Sequence, residues 1–331
     1  MRLLVLGGTE FVGRSVVEDA LERGWDVTVL HRGTRQAPPG AAVLHGDRLA
    51  PGGLAELEKG EWDAVVDTWS AAPRVVAESA RLLADRVGRY SYISSCSVYT
   101  FPSAPGSDES WPTVDADPEA DATAYAADKR GGELAGEAVF GDRFLSVRAG
   151  LILGPYENIG RLPWWLNRIA RGGPFPAPGP ADLPIQYVDA RDLAAWTLDA
   201  TAAGHSGPFN MVSPPGHATI GEFYQACVAA TGADAEPLWI TPERVAAAEV
   251  APWSELPVWL PPGELHESLH DNDVSRAVAA GLRCRPIAET VADTWEWLVS
   301  IGGTAPQRPD RPAVGLPEGA EERLLAGHTD R

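Results

Sequence analysis

An apolar run, a glycine-rich turn and an amphipathic segment follow one another without a gap near the start of this chain. Residues 2–6, Arg-Leu-Leu-Val-Leu, have the length and composition of a buried strand. Gly7-Gly8-Thr9-Glu10-Phe11-Val12-Gly13 comes next. From about Phe11 to Arg23, the residues Phe11, Val12, Val16, Val17 and Leu21 recur at helical spacing, and a second strand follows at Asp26–Leu30. Glycines let a backbone approach a phosphate closely, and a helix N-terminus offers free N–H groups and the positive end of a dipole. Strand, glycine turn, helix, strand predicts an α/β fold. Its core is a Rossmann-type doubly wound parallel sheet, and its turn is suited to a dinucleotide pyrophosphate.

The end of the second strand bears on which dinucleotide. It reads Leu30-His31-Arg32-Gly33-Thr34-Arg35, with no Asp or Glu between Val27 and Asp47. An acid there takes the ribose 2′-hydroxyl of NAD, whereas an arginine accommodates the 2′-phosphate of NADP. Arg32, helped by Arg35, therefore points to NADP, with NAD as the alternative.

The chain holds two lysines, Lys59 and Lys129, against twenty-five arginines. Lys129 lies four residues after Tyr125, so on a helix the two side chains share a face. A cation near a phenol favours its ionised form and makes tyrosine a usable acid and base. The strand Tyr92-Ile93-Ser94-Ser95-Cys96-Ser97-Val98-Tyr99 precedes this pair, and Val43-Leu44-His45-Gly46-Asp47-Arg48 ends an earlier strand.

Together with Gly7 and Gly13, these stretches resemble the short-chain dehydrogenase/reductase superfamily in its extended, NAD-dependent epimerase/dehydratase-like branch. The likeness runs to about residue 300. Gly-Gly-Thr-x-Phe and Trp62 to Thr68 are closest to an actinobacterial group of reductase- and epimerase-like proteins. The resemblance implies that Ser95 hydrogen-bonds the substrate oxygen, Tyr125 transfers the proton and Lys129 holds the nicotinamide ribose. It assigns cofactor contacts to Gly7, Thr9, Glu10, Phe11, Val12, Gly13, Arg32, Arg35, Asp47, Arg48, Thr68 and Lys129. Trp69, Ser97, Trp164 and Trp165 are expected at the substrate. Trp111, Trp253 and Trp259 also fall in segments able to roof a pocket.

Departures from the branch narrow the chemistry. Glu10 replaces the middle glycine of the first loop, setting a carboxylate near a pyrophosphate. Cys96 and Ser97 stand where sugar-nucleotide dehydratases carry Asp-Glu. Arg148 to Pro155 lacks the branch's asparagine, and Leu183 to Val188, the stretch a few residues before Asp192-Leu193-Ala194 where the branch carries an arginine, has none. A diphosphate needs such donors. The expected activity is thus a carbonyl reductase or alcohol dehydrogenase reaction on a small sugar-like or secondary-metabolite substrate. The alternatives are an epimerase with retained NAD, acting on a sugar or sugar nucleotide, and a cofactor-binding regulator without turnover.

A formal net charge of −19 argues against nucleic acid, which wants a basic surface. Its plainest reading is solubility, although such a field also favours a cationic substrate. No apolar run approaches a membrane span, and no membrane partner is expected. Three scattered cysteines, Cys96, Cys227 and Cys284, suggest neither disulfides nor a metal site, and fit a reduced cytoplasmic setting. Cys96 is expected to be a small buried residue rather than a nucleophile. Residues 1–155 are expected to form the dinucleotide half, joined by returning segments near 185–212. Residues 156–300 are expected to form a smaller C-terminal substrate lobe. Residues 301–331 are expected to be a mobile tail with a short helix near 318–326. A homodimer is the default for such a chain.

Overall fold

The structure is a computed structural model that describes residues 1–326. Seven parallel strands form its main sheet: β1 (Arg2–Leu6), β2 (Asp26–His31), β3 (Ala42–His45), β4 (Trp62–Asp67), β5 (Val87–Ser95), β6 (Phe144–Ala149) and β7 (Gly207–Met211). Their order is β7-β6-β5-β4-β1-β2-β3. The winding reverses between β1 and β4, which opens a crevice at the carboxyl ends of the strands.

Both faces of the sheet are covered, so its strands are apolar on alternate and intervening positions alike. Leu3 and Val5 pack towards α1 (Phe11–Glu22), while Leu4 and Leu6 pack towards α2 (Pro73–Leu83) and α3 (Tyr125–Phe140). Beyond β6 the chain leaves the sheet through α4 (Arg161–Ala170). It returns for α5 (Ala190–Ala203), which packs on α1, and for β7 beside β6. The remaining helices are α6 (Ile220–Thr231), α7 (Pro242–Ala247), α8 (Glu264–His270), α9 (Ser275–Ala279), α10 (Ile287–Ser300) and α11 (Ala320–Leu325). The capping box read at Thr219–Glu222 starts α6. A second core of aromatic side chains, including Trp165, Phe175, Tyr224 and Trp259, lies among these later elements.

The segment expected to be a mobile tail is docked over its described part. Ala320 and Leu324 are fully buried, and Arg168 binds Glu321 through Nε at 2.8 Å. Gly315 N donates to Ser254 O at 2.8 Å. Proline and glycine content misleads here, because the segment is held by buried apolar residues and backbone hydrogen bonds rather than by periodic structure. Residues 327–331 lie outside the described part.

Helix α3 sits unusually close to its neighbours because glycines face them. A Cβ on Gly131 would meet Pro73, and one on Gly132 would come within 2.6 Å of the Tyr92 hydroxyl. Tyr92 is fully buried and cannot swing away. Gly132→Ala should therefore destabilise the fold by about 1–3 kcal/mol despite alanine's better helix propensity. Urea unfolding of the two proteins checks this, and an unchanged or raised midpoint would contradict the close packing.

Candidate active site

A cavity of about 770 Å³ occupies the crevice. Glu10, Phe11, Val12, Gly13, Thr68 and Ser70 line one end, and Ser95, Ser97, Tyr125 and Lys129 line the middle. Asn158, Arg161, Trp253, Leu265, Leu269, Arg308 and Arg311 line the far side. Close approach explains the glycines of the first turn. Gly7 takes a φ of +115°, and a Cβ on Gly13 would stand 2.7 Å from Gly8 N. No side chain caps α1. Its first N–H groups therefore border the cavity without a side-chain acceptor, as an anion site at a helix N-terminus requires.

Ser95 ends β5. Its Oγ accepts from Ser97 N–H and donates to Ser97 Oγ, both at 3.1 Å. Tyr125 is the first residue of α3, whose first turn is pinned where Asp128 accepts from Thr123 N at 2.7 Å and Thr123 Oγ1 at 2.8 Å. One turn later Lys129 is only 3% exposed. Its Nζ donates to Trp69 O and Ile93 O, each at 2.6 Å, and lies 4.7 Å from the centre of the Tyr92 ring. Burial pulls the Lys129 pKa down to about 7. Asp67 opposes that shift, and Arg308 and Arg311 add to it. Two N–H bonds suffice for both carbonyls, so the neutral amine keeps these partners.

Two buried ion pairs hold the walls. Glu133, one turn beyond Lys129, takes Arg148 Nε and Nη2 at 2.9 Å each, Ser94 Oγ at 2.7 Å and Ser146 Oγ at 2.6 Å. Burial alone would raise its carboxyl; Arg148 and the serines more than offset that and hold it below the usual carboxylate range. At the end of β4, Asp67 takes Arg48 Nη1 at 2.6 Å and Nη2 at 2.8 Å, with Tyr90 OH at 2.5 Å and Trp69 N at 2.9 Å. These bonds fix the turn that carries Thr68, Trp69 and Ser70.

Residues 3–211 match the sequence profile of the NAD dependent epimerase/dehydratase family. The chain belongs to that family. No curated protein matches the sequence significantly. Among solved structures, the Bordetella bronchiseptica enzyme WbmH in complex with NAD+ is similar at 20% identity and a TM-score of 0.66. That match covers 91% of this chain and 99% of the other. A putative epimerase from Burkholderia cenocepacia J2315 is also 20% identical, with a TM-score of 0.68 and coverage of 90% and 98%. The UDP-glucose 4-epimerase of Thermotoga maritima, solved with UDP-glucose, is 16% identical, with a TM-score of 0.64 and coverage of 91% and 99%. At these identities the likeness is one of fold.

Within this family member, the expected site residues divide. Ser95, Ser97, Tyr125, Lys129, Thr68 and the loop from Glu10 to Gly13 share the cavity, while Gly7 and Thr9, in the same turn, do not line it. Arg32 is exposed at the end of β2, and the Asp47 carboxylate takes Leu49 N at 3.0 Å. Arg35 is exposed as well, but its Nε pairs with Glu10. Arg48 is not free for adenine, because it is buried and committed to Asp67. Trp69 contributes its carbonyl to Lys129, while its ring stacks near Arg48 and its Nε1 donates to Ala72 O at 3.0 Å. Trp164 and Trp165 are away from the cavity. Trp165 is fully buried with Nε1 on Pro257 O at 2.7 Å, and Trp164 packs against it. Trp259 is equally buried, with Nε1 on Gly179 O at 3.1 Å, and Trp111 reaches only Thr100 O at 3.2 Å. Of the pocket-roofing tryptophans only Trp253 lines the cavity. Cys96 Sγ donates to Arg148 O at 3.0 Å, and burial pushes its thiol up to about 12, which suits a packing role.

Sequence reasoning missed Asn158, Arg161, Arg308 and Arg311. The last two lie in a segment without periodicity, so no pattern marks them. Glu10 proves to be a tether: its carboxylate takes Asn158 Nδ2 at 3.0 Å and pairs with Arg35. That arrangement turns the carboxylate's charge to side-chain partners on either side of the loop.

The depressed Lys129 pKa has a sign that can be checked. Between about pH 7 and its unfolded value of about 10.5, the unfolded chain holds a proton that the folded ligand-free site does not. This group's contribution to stability therefore rises with pH across that window, by roughly 1.4 kcal/mol per unit at most. Lys129→Met should remove the rise. Unfolding midpoints of both proteins at pH 7.5 and 9.5 measure it, and parallel pH profiles would contradict a neutral buried amine.

Proposed function

We propose that this family member is a nicotinamide-dependent oxidoreductase. It interconverts a carbinol and a carbonyl on a small polar substrate, in the manner of a carbonyl reductase or alcohol dehydrogenase. The observation that carries the reading is the single cavity shared by Ser95, Tyr125 and Lys129 with the glycine turn and the uncapped end of α1. These surroundings fit a dinucleotide. Free N–H groups of α1 would hold its pyrophosphate, Thr68 and Ser70 would flank it, and Lys129 would lie beside the nicotinamide ribose.

A bound nicotinamide supplies or accepts the hydride. The protein's share is to bind, orient and move one proton. Ser95 Oγ has a second polar partner in Ser97 and is positioned at a strand end to hold the substrate oxygen. The Tyr125 hydroxyl gives that oxygen a proton on reduction and takes it back on oxidation. Lys129, one turn along α3 from Tyr125, would hold the nicotinamide ribose beside that exchange. Leu265 and Leu269 give the far side of the cavity an apolar character. Arg32, exposed and with no acid near it on β2, supports NADP as the preferred cofactor over NAD.

A second reading has its own observation. The Glu10–Asn158 bond and the Arg308–Ser70 bond at 3.1 Å bridge the crevice over the proposed cofactor position. Such a closure suits an epimerase that keeps its NAD while oxidising and re-reducing one carbon of a sugar or sugar nucleotide.

Tyr125→Phe should lower turnover by about 10²–10⁴-fold while leaving cofactor affinity within a few-fold. An unaffected rate would remove Tyr125 from catalysis. Nucleotide released from purified protein by acid separates the readings. Bound NAD(H) that does not exchange favours the epimerase, whereas free exchange favours the reductase. Titration with NADPH and NADH, on the wild type and Arg32→Ala, should show an NADPH preference that the variant loses. Equal affinities in both proteins would overturn the Arg32 assignment.

A further inference from the structure

The chain is acidic, yet the cavity around Tyr125 is lined by three arginines. Arg161 opens α4, and Arg308 and Arg311 belong to the strap between α10 and α11. The strap crosses from one wall of the crevice to the other. Arg308 N donates to Asn158 O at 3.1 Å, and its Nη2 reaches Ser70 Oγ at 3.1 Å on the sheet side. Arg311 N then donates to Arg308 O at 3.2 Å, which sets the Arg311 guanidinium over the Tyr125 ring, 4.4 Å from its centre.

The three charges are not equally neutralised. Arg308 is paired with Asp310 through Nε at 3.0 Å and Nη2 at 2.6 Å. Arg311 Nε is buried without a hydrogen-bond partner among the described residues, and its nearest carboxylate oxygen, on Asp310, is 3.9 Å away. Arg161 lies with its guanidinium carbon 5.2 Å from the Trp253 ring centre. Its neighbour Glu157 is fully buried and spends its oxygens on Arg161 N at 2.7 Å and Leu162 N at 3.2 Å. Burial pushes the Glu157 carboxyl up to about 7, so it offsets Arg161 only in part. Partly buried cations without a paired anion favour one, and guanidinium forks match carboxylate and phosphate oxygens in pairs.

We propose that Arg161, Arg308 and Arg311 form an oxyanion-binding subsite beside Tyr125, built mainly by the C-terminal strap, that takes a carboxylate or phosphate group of a bound ligand. Two ligands can bring that group: a substrate anionic near its reacting carbon, or the pyrophosphate of the cofactor. The subsite is the specificity element of the proposed oxidoreductase and rests on that reading for its substrate role. Binding of an anion here does not depend on that reading. Arg311 over the Tyr125 ring places the anion next to the group that would exchange the proton. The strap thus makes the cavity complementary to anions in spite of the chain's overall charge.

The test uses the full chain, followed by tryptophan fluorescence, which Trp253 reports from within the subsite. Inorganic phosphate, malonate and NAD+ are titrated into the wild type, Arg311→Gln and the Arg161→Gln/Arg311→Gln double variant. The two anions are titrated with and without saturating NAD+. If a substrate supplies the anion, phosphate and malonate bind the NAD+-saturated wild type, and the double variant weakens them about tenfold or more while NAD+ affinity stays within about twofold. If the cofactor supplies it, phosphate competes with NAD+, and the double variant weakens NAD+ by about tenfold or more. Arg311→Lys keeps the charge and should restore part of the affinity, which separates charge loss from misfolding. Wild type that binds neither anion, or variants that leave all three affinities unchanged, would overturn the subsite. A wild type that binds the anions through these arginines but never NAD+ or NADP+ would refute the oxidoreductase reading and leave the subsite standing.

Discussion

The Glu133 carboxylate is the point on which the geometry of the cavity depends. It sits one helical turn beyond Lys129 and binds both neighbouring strands at once, β5 through Ser94 and β6 through Ser146 and Arg148. Arg148 Nη1 passes the connection to Tyr99 OH at 3.1 Å, and Tyr99 OH donates to Asn210 Oδ1 on β7 at 2.5 Å. A helix docked by apolar packing alone can slide along a sheet. A carboxylate with five near-ideal donors, Arg130 Nη1 at 2.8 Å among them, fixes its depth and rotation, because losing any one leaves a buried charge underserved. Helical periodicity then carries that fixed position back to Lys129 and Tyr125.

The same physics recurs at the end of β4. Asp67 and Arg48 form a bidentate pair inside the fold, and Tyr90 and Trp69 complete the shell around the carboxylate. The pair is no argument for stability by itself, since hydrophobic replacements often do as well. Its consequence is directional: it orients the Trp69 carbonyl that receives the Lys129 amine. The lysine is thus held from both sides, by its own helix and by the loop after β4. An arginine in its place would bring a larger, permanently charged fork to a pair of carbonyls that a small amine satisfies.

The cavity also shows that net charge and local charge are separate quantities. The formal charge of −19 describes the whole surface. The cavity wall meets Arg161, Arg308 and Arg311, whose fields act within a few ångströms, inside a Debye length of about 8 Å. An expectation of a cationic ligand drawn from composition averages over distances far longer than those that operate at Tyr125.

Much of the α/β half was legible in the chain because its information is local. The strand at Arg2–Leu6, the glycine turn, the helix from Phe11 and the Tyr125–Lys129 spacing each need only a few consecutive residues to be read. The capping box at Thr219 was legible for the same reason. The tertiary structure decided what depends on long separations. Arg48 reads as a ligand contact until Asp67, nineteen residues on, claims it. Trp164 and Trp165 read as pocket aromatics until helix α4 turns Trp165 into the second core. The Pro- and Gly-rich strap reads as a tail until buried contacts lay it across the crevice, bringing Arg308 to Ser70 over a separation of 238 residues. Sequence periodicity encodes which face of an element is apolar. It does not encode which distant charge that face will meet, because that choice is made only when loops close and buried groups must find partners.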